Sequence, residues 1–172
     1  MENPKKFENR VYWSFNMNFI PILNTQADSM DSNTESQTTP RPRILFQTVG
    51  TGSKNHPVWE ALVFAVRELK PAVLVQCCSS QTLQDTVPKF QLSLGEYDWS
   101  MVTERIEDPD PDDVNALTNH YVSEIESLKL RYPDHDIEID FTSGTKAMSV
   151  AIAAAGVICR VGRTHYSVGE RD

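Results

Sequence analysis

The chain is poor in the features that most often announce a function. Its three cysteines are Cys77, Cys78 and Cys159, an odd number at a spacing that matches no zinc-binding pattern. They read as small core residues in a reducing cytoplasm, not as a disulfide framework or a metal site. No apolar run is long enough to span a bilayer. Residues 11–23 come nearest, but they include asparagines and a proline, and no small-residue cleavage site follows. Positive charge is in deficit: the net charge is −8, which argues against a general polyanion binder and against direct DNA binding. There is no G-x-x-x-x-G-K-[ST] P-loop. A dinucleotide fingerprint fails as well, because its third glycine would fall at position 55, which is Asn55. The acidic residue that would grip an adenosine ribose is also missing after the next strand, 72–78.

Glycine is scarce, at seven residues, so the places where it gathers carry weight. The stronger is Asp140-Phe-Thr-Ser-Gly-Thr-Lys-Ala-Met-Ser149. It follows an alternating run that ends a strand and precedes an alanine-rich apolar run, 147–158, that reads as a buried helix. Thr142, Ser143, Gly144, Thr145 and Lys146 therefore occupy a strand-to-helix turn. Free backbone N–H groups and the helix dipole make an anion site there. The plain alternative is a capped helix with a solvated lysine.

The second turn is Thr48-Val-Gly-Thr-Gly-Ser-Lys54, after a strand at 43–49. Gly50 and Gly52 allow a tight turn and close backbone approach. Thr51 and Ser53 supply hydroxyls, while Lys54 and His56 are weaker candidates for charge or a donor. Gln47 and Thr48 are candidates for contact with a base. Asp140 is expected to order its turn, because a carboxylate would repel phosphates.

Residues 1–42 read as a poorly ordered N-terminal extension and linker. The stretch 24–43 is rich in Ser, Thr, Asn, Gln, Asp and Pro, with almost no large apolar residue. From Arg43 onward, strands alternate with helices. Strands are predicted at 43–49, 72–78, 98–103, 135–141 and 161–168. Helices are predicted at 58–69, from Ser79 or Ser80 to Thr86 with Pro88 interrupting, at 110–131 and at 145–158. The fold class is α/β, a Rossmann-like three-layer sandwich with a mostly parallel sheet. In a doubly wound order the first and fourth of these strands are neighbours, and both glycine turns lie at their carboxyl ends, where such sheets bind ligands.

With both turns in place, residues 43–172 resemble the CRISPR-associated Rossmann-fold domain, CARF. The matching pieces are Thr48-Val-Gly-Thr-Gly52, the segment Asp140–Ser149, and Tyr166-Ser-Val-Gly-Glu-Arg-Asp172. A nearby branch of the family often has glycine where Ser143 stands. The resemblance implies a cytoplasmic, dimeric sensor of cyclic tetra- or hexa-adenylate, with no metal or cofactor. Its ligand would lie against Gly50, Thr51, Gly52, Ser53, Thr142, Ser143, Gly144, Thr145 and Lys146. It also implies an effector, which this sequence lacks, so the domain is expected to be truncated at its C-terminus or to act on a separate partner. Helix 147–158 is apolar nearly all round, so one face is expected to cover the sheet and another, including Ala151 or Ala155, to meet a second copy.

Two other readings stay open. One is a stand-alone, metal-independent ring nuclease, with Lys146 and Ser53 or Thr51 aligning a ribose 2′-hydroxyl and His56 as a speculative base. The other is a Rossmann enzyme with a nucleotide cofactor, or a plain interaction module.

Overall fold

The computed structural model describes residues 11–16, 40–52, 57–95 and 100–168. The linker reading of 24–39, together with Ser53, Lys54, His56, Asp98, Trp99 and the last four residues, lies outside them. The elements in chain order are β1 (Val11–Asn16), β2 (Arg43–Val49), α1 (Val58–Leu69), β3 (Val73–Cys78), α2 (Ser80–Asp85), α3 (Val87–Leu94), β4 (Val102–Glu107), α4 (Val114–Arg131), β5 (Asp136–Asp140), α5 (Lys146–Ile158) and β6 (Arg163–Val168).

The strands form one sheet in the order β1-β6-β5-β2-β3-β4. β2 to β6 are mutually parallel, and β1 joins the β6 edge antiparallel, with Val11 opposite Val168. This is the expected Rossmann-like α/β fold. β1 comes from the stretch assigned above to the N-terminal extension, so six residues of that stretch belong to the sheet.

The central strands are apolar on both sides because both faces are covered. Ile44, Phe46, Val73, Val75 and Ile139 meet Leu117, Tyr121, Ile125, Met148, Ala151 and Ile152 of α4 and α5. Leu45, Val49, Leu74 and Cys78 meet Leu62, Val63, Val66, Val87 and Phe90 of α1 and α3. All three cysteines are free and buried, and burial pushes their thiols up, Cys78 to about 12 and Cys159 to about 11, so none is a ready nucleophile.

Local chemistry explains the element ends. α1 ends at Lys70 in the left-handed conformation, with Pro71 next. The Asp113 carboxylate caps α4, accepting from the amides of Asn115 and Ala116 at 2.9 and 3.0 Å. Pro88 does not simply interrupt a helix. It sits in the first turn of a second one, α3, where a missing N–H costs nothing.

The strand predicted at 98–103 is displaced. β4 runs from Val102 through Glu104, Arg105 and Glu107. It is an edge strand whose side chains are largely exposed, so it carries no apolar pattern. Glu104 is tied to Arg131 at 2.7 Å and to the Tyr132 hydroxyl at 2.9 Å. On the other side of the sheet, Glu138 of β5 and His165 of β6 meet at 2.8 Å, both buried. Burial alone would raise the Glu138 carboxyl, but His165, with Arg43 and Arg163, holds it below the usual carboxylate value.

Candidate functional site

β2 and β5 pair in parallel, so their carboxyl ends emerge side by side. The two glycine turns consequently touch. A Cβ built on Gly50 would lie 2.6 Å from the Gly144 amide nitrogen, closer than any side chain can approach. Gly144 has φ +119°, and a Cβ there would meet Thr48 and Met148 at 3.1 to 3.3 Å. Gly50 is required for proximity, and Gly144 for both proximity and conformation.

Hydrogen bonds lock the two turns together. The Gly50 amide donates to Ser143 Oγ at 2.7 Å. The Thr48 hydroxyl donates to the Ser143 carbonyl. Behind them, Thr86 Oγ1 donates to the Gly50 carbonyl at 2.9 Å.

The second turn is organised from below by Asp140, which is fully buried. Its Oδ1 accepts from the Thr142 amide at 2.9 Å and from the Thr142 hydroxyl, and its Oδ2 accepts from Gln47 Nε2 at 2.9 Å. Burial raises this carboxyl, and the three donors oppose the shift. Asp140 therefore orders the turn, as expected. Gln47 and Thr48 do not reach a base: both are fully buried and engaged in this framework.

The hydroxyls of the second turn have a different role from the one their composition suggests. A hydroxyl has one proton to give. Thr142 gives its proton to Asp140, and Thr145 gives its proton to the Pro111 carbonyl at 2.7 Å. Thr145 Oγ1 also accepts from the Met148 amide at 3.1 Å as the N-cap of α5. Ser143 is buried and holds Gly50. What faces outward is the first turn of α5, where the amides of Lys146 and Ala147 have no acceptor within the helix, together with the exposed Lys146 side chain and the exposed Thr51 and Gly52.

A cleft of about 500 Å³ opens at the two turns and reaches Thr145, the N-cap of α5, but Lys146 and Ala147 are not among its lining residues. Gly50, Thr51, Gly52, Thr142, Ser143, Gly144 and Thr145 all line it. The half-buried Val58 adds apolar surface, with the buried Val49 and Met148 behind the lining. Ser79, Gln81 and Thr82, after β3, and Pro111 and Asp112, after β4, line it too, and sequence reasoning assigned none of them to the site. The first group enters the site through the order of the strands. β3 neighbours β2 in the sheet, so the turn after β3 also opens at the carboxyl edge. Asp112 offers only acceptors and repels phosphate from its side of the rim.

The fold and cleft define the class: a parallel α/β domain with a glycine-lined cleft and a helix N-terminus at the point where its strand order reverses. No protein-family model matches the chain, and no curated protein matches it. Among solved structures it is similar to Csm6 of Enterococcus italicus bound to cyclic hexa-2′-fluoro-hexa-dAMP, with a TM-score of 0.57 and 19% sequence identity. The match covers 69% of this chain and 31% of that one. Among the described residues, no helix is long and apolar enough to cross a membrane.

Proposed function

We propose that this chain is a cyclic oligoadenylate-binding sensor domain of type III CRISPR antiviral defence, acting in the cytoplasm as a homodimer that governs a separate or appended effector. One observation carries the reading. The turns after β2 and β5 meet at Gly50 and Gly144, so that a glycine-lined cleft opens beside the N-terminus of α5, whose first residue is the exposed Lys146. Csm6, which shares the fold, was solved with a cyclic hexanucleotide in place.

In this reading Lys146 sets its ammonium against a ring phosphate as a point charge. The first-turn amides of α5 hold the same phosphate. Thr51 donates to phosphate or ribose, and Gly50, Gly52 and Gly144 admit the backbone. Thr142, Ser143 and Thr145 contribute by position and main chain, since their hydroxyls hold the turns. Ser53, next to Gly52 in the sequence, is a further hydroxyl donor in this reading.

A ring with an even number of units has a two-fold axis, which suits an isologous dimer that presents the same cleft twice. α5 supplies a surface for that contact. It buries Met148, Ala151, Ile152 and Ala155 in its own core and exposes Val150, Val157 and Ile158. The expected meeting face is thus corrected: Ala151 and Ala155 belong to the core.

Titration calorimetry tests the proposal. The chain should bind cyclic tetra- or hexa-adenylate more tightly than linear oligoadenylate or NAD. Equal or weaker affinity for both rings overturns it.

A further inference from the structure

The cleft has a wall that neither glycine turn makes. β3 ends at Cys78, and the chain passes through Ser79 into α2. Ser79 and Thr82 are committed to that turn: Ser79 Oγ accepts from the Thr82 amide at 3.3 Å, and Thr82 Oγ1 donates to the Ser79 carbonyl at 3.0 Å. Gln81 between them is exposed and lines the cleft, and its side chain makes no hydrogen bond among the described residues.

The chemistry of this side chain differs from that of the anion site. A phosphate is served by donors and positive charge. The Gln81 amide carries no charge and presents a donor and an acceptor in one plane. That pair matches an edge with an adjacent acceptor and donor, which adenine offers as N7 and its N6 amino group. Val58, half-buried in the same cleft, gives apolar surface for part of a base.

We propose that Gln81 is a base-reading residue of the cleft. Its amide N–H donates to N7 of one adenine of the ring, and its carbonyl accepts from the N6 amino group. The assignment rests on the functional reading above and adds the group that tells adenine from other purines. An inosine ring presents a carbonyl oxygen where adenine has the amino group, so the Gln81 carbonyl would face another acceptor.

The test compares the parent chain with Gln81→Leu by titration calorimetry against cyclic tetra- and hexa-adenylate and their inosinate counterparts. The parent should prefer the adenylate ring by about 5- to 150-fold, the range of one bidentate base contact. Gln81→Leu should lose that preference by binding the adenylate ring more weakly, with inosinate binding and melting temperature unchanged. Gln81→Glu sets an acceptor against N7 and a negative charge in the cleft, and should bind the adenylate ring no better than Gln81→Leu does. If Gln81→Leu binds the adenylate ring as well as the parent does, or weakens both rings alike, Gln81 does not read the base and the sensor reading stands. If the parent binds none of the rings, the sensor reading fails and takes this assignment with it.

Discussion

The Gly50 amide and the Ser143 hydroxyl, 93 positions apart in the chain, are joined by a buried 2.7 Å hydrogen bond. This bond fixes the distance between the two turns that form the cleft. Ser143→Ala removes the acceptor and leaves the Gly50 N–H buried without a partner. That should cost about 1–3 kcal/mol of stability, read as a lower urea midpoint with an unchanged slope. An unchanged midpoint would mean that the bond contributes nothing to the fold.

Lys146 is exposed at the first position of α5, so Lys146→Ala should leave the melting temperature of the free protein nearly unchanged. Affinity for cyclic oligoadenylate should fall roughly 10- to 150-fold, the worth of a charge-assisted contact of about 1.5–3 kcal/mol. The salt dependence of binding should also weaken. Unchanged affinity would reduce Lys146 to a solvated residue at a helix start.

Val157 is 46% exposed on α5, on the same helix face as the exposed Val150 two turns earlier. Under the dimer proposal, Val157→Glu should give a folded monomer by sedimentation, while the parent is dimeric at micromolar concentration. Ala151→Glu should instead unfold the chain, because Ala151 has no exposed surface and a charge there cannot be solvated. A monomeric parent would count against a two-fold cleft.

Asp108 follows β4, is 5% exposed, and donates its amide to the Cys78 carbonyl at 2.8 Å. Burial pushes its carboxyl from the ordinary 3.8 up to about 6, against the opposing pull of the Tyr121 hydroxyl and His120. The native chain thus holds this proton more tightly than the unfolded chain does. Its effect on stability is a loss as pH rises from about 4 to about 6, and it is flat above that. The full difference is up to about 3 kcal/mol. Asp108→Asn should therefore be more stable than the parent at pH 7 and should nearly match it at pH 4. Chemical denaturation at both pH values checks this, and identical pH slopes would exclude Asp108 as the cause.

The central strands were legible because both their faces are buried, which forces continuous apolar runs such as Ile44 to Phe46 and Val73 to Val75. β4 was misplaced because an edge strand is free to carry Glu104, Arg105 and Glu107, and no hydrophobic pattern then marks it. β1 could not be assigned to the sheet, since its partner lies at the far end of the chain and local pattern holds no record of that pairing.

The sequence by itself determined the parallel α/β architecture and the two glycine turns, because apolar period and glycine placement are local properties that follow directly from burial and backbone sterics. Only the tertiary structure decided what each polar atom does. A threonine in a turn can meet a ligand or a carbonyl, and the choice depends on which acceptor the fold brings within reach. For Thr142 that acceptor is Asp140, and for Thr145 it is the carbonyl of Pro111, from a loop 34 residues earlier. The same limit hid Gln81. Its place in the cleft comes from the pairing of β3 with β2, a relation between segments that no residue pattern within either one encodes.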